Sequence, residues 1–164
     1  MSLITDIVFK AAIMSDSEIR AIVTPSATSY QSHPKPRIYN TAIPVPDEDL
    51  DNVPVPYIII IPKNGNNDTG TKDDYEGDTD TVNVEVLAAT STRGQLGKLM
   101  TMIRNAVRDF FVNYAPPEDD DAEDLSEEIP LDYQVGWSDV FYDSYKPCYY
   151  QSLYYQCDTN RTAK

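Results

Sequence analysis

Pro56-Tyr57-Ile58-Ile59-Ile60-Ile61-Pro62 is the stretch on which the fold turns. Five apolar residues between two prolines are too short for a helix and read as a strand. A strand with one wet face alternates polar and apolar residues; Tyr57 to Ile61 does not, so both of its faces are predicted to be covered. Downstream, Asp80 to Ala89 does alternate. Val82, Val84, Val86 and Ala88 share one face, and Thr81, Asn83 and Glu85 the other. The Gly/Asn-rich run Lys63-Asn64-Gly65-Asn66-Asn67-Asp68-Thr69-Gly70 between these two strands predicts a hairpin with a long connection.

The next segment has helical spacing. Leu96, Leu99, Met100, Ile103, Val107, Phe110 and Phe111 line one side from Arg93 to Phe111, with Thr92 and Gln95 spaced as a capping box. Gly94 and Gly97 each weaken such a helix by about 1 kcal/mol relative to Ala, and Gly97 is read as a point of close approach to the sheet. Upstream of the strands, Leu3, Ile4, Ile7, Val8, Ala11 and Ala12 predict a first helix ending near Met14. Ser15 and Glu18 are read as the capping box of a short second helix that Pro25 terminates. Residues 25–56 hold seven prolines and are read as an extended connector, unsuited to helix or central strand.

An acidic segment over residues 115–130 includes Pro116-Pro117 and is densest from Glu118 to Asp124. The C-terminal third returns to β patterning. Tyr133, Val135, Trp137 and Phe141 are expected on one face, and the last strand, Cys148 to Cys157, places Tyr149 and Tyr155 opposite Tyr150 and Tyr154. The predicted architecture is a single α+β domain over residues 1–164. It has a mostly antiparallel four-stranded sheet with helices packed on one face, in the order α-(α)-β-β-α-β-β. One helix layer leaves the far face of Tyr57 to Ile61 uncovered, so a folded-back hairpin or a second subunit is expected there.

The 164 residues carry a net charge of −14, with 13 basic against 27 acidic side chains. Direct nucleic-acid binding needs clustered Lys and Arg, and this balance opposes it. No apolar run approaches the roughly 20 residues of a membrane span, and Met1 to Asp6 has no basic region of a secretory signal. Cys148 and Cys157 differ by an odd number within one strand, point to opposite faces, and are read as reduced thiols of a cytoplasmic product. One His and two Cys are too few for an ordinary zinc site.

Reactive motifs are weak. Gly94-Gln95-Leu96-Gly97-Lys98-Leu99 follows a strand and opens a helix, but Thr92 replaces the first Gly of a phosphate loop and Leu99 its Ser or Thr. Asn64, Asn66, Asp68, Gly70 and Glu76 are out of register for a calcium loop. His33, the one histidine, sits in the Pro-rich connector, a poor setting for a catalytic triad. No catalytic, cofactor or metal residue is assigned, and an enzyme is not expected. The candidate interface residues are the cations Arg93, Arg104 and Arg108, the acids Asp119, Asp120 and Asp121 as their complement on a neighbouring copy or as channel-lining residues, and Tyr150 and Tyr154 on the last strand.

These pieces form a recognisable series. A helix and a short second helix lead to Arg37-Ile38-Tyr39, then a Pro-rich segment, then Pro56-Tyr57-Ile58-Ile59 and Val82-Asn83-Val84-Glu85-Val86 in successive strands. A long helix and a terminal strand pair complete it. From about Leu3 to Cys157 the series resembles the tail completion, or tail terminator, proteins of long-tailed bacteriophages and prophages. That resemblance implies a non-enzymatic virion protein without cofactors, forming a ring, commonly a hexamer. Such a ring caps the tail tube, meets the tube protein on one side and the head–tail connector protein on the other, and lets DNA pass without specific binding. It is assembled in the host cytoplasm and resides in the virion tail or neck, with no membrane role. Two alternatives are another neck or minor tail subunit and, from a different class, an acidic DNA mimic that blocks a DNA-binding enzyme.

Overall fold

A computed structural model describes residues 3–41, 54–68, 78–113 and 132–161. Helices α1 (Leu3–Met14) and α2 (Ser17–Val23) lead to strands β1 (Ile38–Asn40), β2 (Tyr57–Asp68) and β3 (Asp78–Thr90). Helix α3 (Arg93–Val112) follows, then β4 (Asp132–Trp137), β5 (Phe141–Asp143) and β6 (Cys148–Arg161). The strands form one six-stranded sheet in the order β1-β2-β3-β6-β4, with β5 also paired to β6. The fold class is α+β, but the expected four-stranded antiparallel sheet is corrected to a six-stranded mixed one.

The correction has two sources. First, the Pro-rich connector contains a strand. Ile38, Tyr39 and Asn40 pair in parallel with Ile58, Ile59 and Ile60. The seven residues between Pro36 and Pro44 leave room for a short strand at the sheet edge, a position where nearby proline is tolerated. Thr41 closes β1 with φ 67°, its N–H donating to the Ile60 carbonyl at 2.7 Å. Second, the C-terminal edge is built from two short strands. β4 pairs with the Leu153–Cys157 part of β6, and β5 with Cys148–Tyr150.

The hairpin is longer than its turn signals imply. β2 continues through Pro62 to Asp68, paired with β3 down to Thr79, with a register shift between Lys63 and Asn66. β1 ends opposite Ile60, so beyond it β2 is an edge strand and Pro62 is accommodated.

All three helices lie on one face of the sheet. Phe9, Ala12 and Ile13 from α1, Ile19 and Val23 from α2, and Leu96, Leu99, Met100, Ile103, Ala106 and Val107 from α3 close over Ile38, Ile58, Ile60, Val84, Val86, Ala88, Leu153 and Tyr155. The periodicity of α3 read from the sequence is the packing seen, but that of α1 is corrected: Val8 and Ala12 are buried together with Phe9 and Ile13, while Ile7 and Ala11 are exposed. Thr92 caps α3 by accepting from the Gln95 N–H at 3.2 Å, while the Gln95 side chain turns to Ser91 instead of completing the box. The cap of α2 is corrected from Ser15 to Asp16, whose carboxylate accepts from Glu18 and Ile19 N–H at 2.8 and 3.0 Å. Ser15 instead donates to the Ala12 carbonyl at 2.6 Å and ends α1. A carboxylate at the helix N-terminus also gains from the helix dipole.

No helix among the described residues is long and apolar enough to cross a membrane.

Candidate subunit interface

The face of the sheet opposite the helices follows from register. Side chains of paired strands stack in rows, so Tyr57, Ala89 and Tyr150 form one row. Ile59, Leu87 and Ser152 form the next, then Ile61, Glu85 and Tyr154, then Lys63, Asn83 and Gln156. The first row is mostly covered. Phe141 of β5 stacks on Tyr150 with ring centroids 5.4 Å apart, and Tyr57, Ala89 and Cys148 are buried. Burial above all, then Cys148, Asp143 and Tyr150 nearby, push the Tyr57 phenol from 10.0 up to about 12. Cys148 is a free thiol raised by the same burial and by Asp143.

The middle rows are open. Ile59, Ile61 and Leu87 are half-buried, as are Tyr39, Tyr150 and Tyr154. The expectation that Tyr57 to Ile61 is covered on both faces holds for Ile58 and Ile60 on the helix side and for Tyr57, but not for Ile59 and Ile61. In the centre of this surface stands a charged group that sequence reading missed. Glu85 pairs with Lys63 of β2 and accepts from the Ser152 hydroxyl of β6 at 2.6 Å. Burial raises the Glu85 carboxyl, but the hydrogen bonds from Lys63 and Ser152, with the Lys63 charge, outweigh it and hold the group below its ordinary range. Lys63 is correspondingly raised by Glu85. The alternating Val84-Glu85-Val86 pattern marked Glu85 as facing away from the helices; its partners come from two other strands and leave no local signal.

The basic residues of α3 have a definite geometry. At 3.6 residues per turn, Arg93, Gly97, Thr101, Arg104 and Arg108 fall within an arc of about 80°. All are exposed. Arg108 engages Asp109 of its own helix, through Nε and Nη2 at 3.0 Å each. This exposed neighbour pair is of little energetic weight. Arg93 and Arg104 form no ion pair among the described residues. Asp119, Asp120 and Asp121 lie outside the described residues. An added Cβ at Gly97 would meet nothing within 4 Å, so the reading of Gly97 as a close approach to the sheet is corrected. The helix leaves a hollow there of about 210 Å³, lined by Gly97, Met100, Thr101, Arg104, Trp137, Gln151 and Leu153.

The expected common face of Val135, Trp137 and Phe141 is also corrected. Gln134 pairs with Tyr155 and Gly136 with Tyr154, leaving Val135 as an extra, bulged residue. Ser138 then interrupts the strand, bonding Ser152 through both its N–H and its hydroxyl oxygen. Trp137 consequently lies level with Leu153 on the helix side, and Phe141 level with Tyr150 on the open side. All three are exposed. The tyrosines of β6 keep their expected division: Tyr155 is buried against Phe9, Tyr149 meets Tyr142, and Tyr150 and Tyr154 face away from the helices.

No family model matches this chain, and no curated protein does. Among solved structures it is similar to a chain of the "Virion of native gene transfer agent (GTA) particle". The TM-score is 0.57 at 10% sequence identity, covering 93% of this chain and 92% of that one. At that identity the likeness is one of fold, and it extends over nearly the whole length of both chains.

Proposed function

We propose that this protein is a structural subunit of a phage-like virion, and specifically a tail terminator: a ring-shaped homo-oligomer, a hexamer by analogy with the resembled family, that caps the tail tube and helps join tail to head. The observation that carries this reading is the end-to-end likeness of fold to a chain of a gene transfer agent virion. Architecture adds support. Helices cover one face of the sheet, and the other presents half-buried Ile59, Ile61 and Leu87 around a fixed charge pair, a pattern suited to a protein surface. In the ring, the cations Arg93, Arg104 and Arg108 of one copy face the acids Asp119, Asp120 and Asp121 of the next, a head-to-tail contact between unlike surfaces. Tyr150 and Tyr154 contribute contact area. The tail tube protein and the head–tail connector protein are the axial partners, and DNA passes through the channel unbound.

Electron microscopy of particles assembled without this protein tests the reading. Overlong tails support a terminator. Tails of normal length that fail to join heads support the second reading, another neck or minor tail subunit, which the same fold likeness favours. Unaltered particles would overturn both.

A further inference from the structure

The exposed apolar side chains of this molecule are not scattered. Of the eight large ones exposed among the described residues, five lie between Val135 and Tyr145, along the β4–β5 edge of the sheet. Trp137 is the largest and is 67% exposed. It stands beside the hollow over Gly97, next to Arg104 and therefore next to the arginine stripe of α3. A large aromatic flanked by arginine, at the rim of a concavity, is the combination that dominates binding energy at protein interfaces. The edge itself is broken by the bulge at Val135 and by Ser138, so it is a poor template for adding a strand and presents side chains instead.

We propose that the β4–β5 edge and the arginine stripe form one docking surface, that Trp137 is its anchor, and that its occupant is a second copy of this chain. The charge balance selects that occupant. The chain carries 27 acidic side chains against 13 basic ones, so a second copy arrives with predominantly acidic surface. Arg93, Arg104 and Arg108 concentrate the opposite sign on one line of one helix. The contact is between different surfaces of identical chains, as ring closure requires. This rests on the self-assembly in the functional reading above and adds to it the surface and the anchoring residue.

Trp137 is the one tryptophan of the chain, so its fluorescence reports on this surface alone. The test combines sedimentation of the full chain over a concentration series with acrylamide quenching of Trp137. The expected result is self-association accompanied by a blue shift and loss of quenching. Trp137→Ala weakens association on the order of thirtyfold with an unchanged circular dichroism spectrum. Arg104→Glu weakens it and flattens its salt dependence. Tyr30→Ala, at a fully exposed aromatic far from the edge in sequence, leaves it unchanged. An oligomer in which Trp137 stays fully quenchable, or in which Trp137→Ala associates normally, overturns this docking surface while leaving the virion reading intact. A chain that stays monomeric throughout the series overturns the docking surface too, and the tail-length experiment then judges the virion reading separately.

Discussion

The ring of Phe9, in the first helix, lies 5.2 Å from the ring of Tyr155, in the last long strand, at an interplanar angle of 59°. Phe111, at the end of α3, stands 5.2 Å from Phe9 on another side. One fully buried ring thus ties the chain's opening helix to its longest helix and to its final strand. Phe9→Ala is expected to cost about 3–5 kcal/mol, the range for emptying a buried aromatic site. Equilibrium urea unfolding followed by circular dichroism measures it. A loss below about 1 kcal/mol would mean that α1 is not part of the cooperative core.

The Glu85 group makes an ordered prediction. Glu85→Ala leaves the buried Ser152 hydroxyl without its acceptor and costs about 1–3 kcal/mol. Lys63→Ala removes a partner that is half exposed and costs under about 1 kcal/mol. The carboxyl of Glu85 is held below its ordinary range, so its contribution is complete above the unfolded-state pKa and fades as pH falls through the folded one. Acid titration of stability should therefore be shallower in Glu85→Gln than in the parent.

Gly97 sits inside α3 with open space where a methyl group would go. Gly97→Ala should stabilise the monomer by about 0.5–1 kcal/mol through helix propensity alone. A rise in the urea midpoint at unchanged m-value is the expected reading. Destabilisation would mean that the hollow beside Trp137 closes in solution.

Tyr57 links stability to alkaline pH. Its phenol is raised from 10.0 to about 12 in the folded chain, so its contribution is fully present below pH 10.0 and is lost as pH rises through about 12. Unfolding measured across that window should show a pH-dependent loss that Tyr57→Phe reduces. A tyrosinate absorbance titration should show a late-ionising phenol that the same substitution removes.

What could be read from the residues alone was whatever repeats over a few positions. The core face of α3, the inward row Val84, Val86 and Ala88, the Thr92 cap and the division of the β6 tyrosines all follow from local periods of 3.6 and 2, and the structure keeps them. The spacing of Arg93, Arg104 and Arg108 also contains their shared stripe, although only the fold shows that it runs beside Trp137. The elements that escaped reading depend on partners distant in sequence. Ile38 to Asn40 becomes a strand because Ile58 to Ile60 offers it a parallel edge. Glu85 acquires its role from Lys63 and Ser152 on flanking strands. A single bulged residue, Val135, turns Trp137 to the opposite face, because a period of two has no tolerance for one extra position. The sequence by itself determined which faces of α3 and β3 turn inward, since that is encoded residue by residue. Only the tertiary structure decided which edges and side chains remain outside, because exposure is set by what the rest of the chain leaves uncovered.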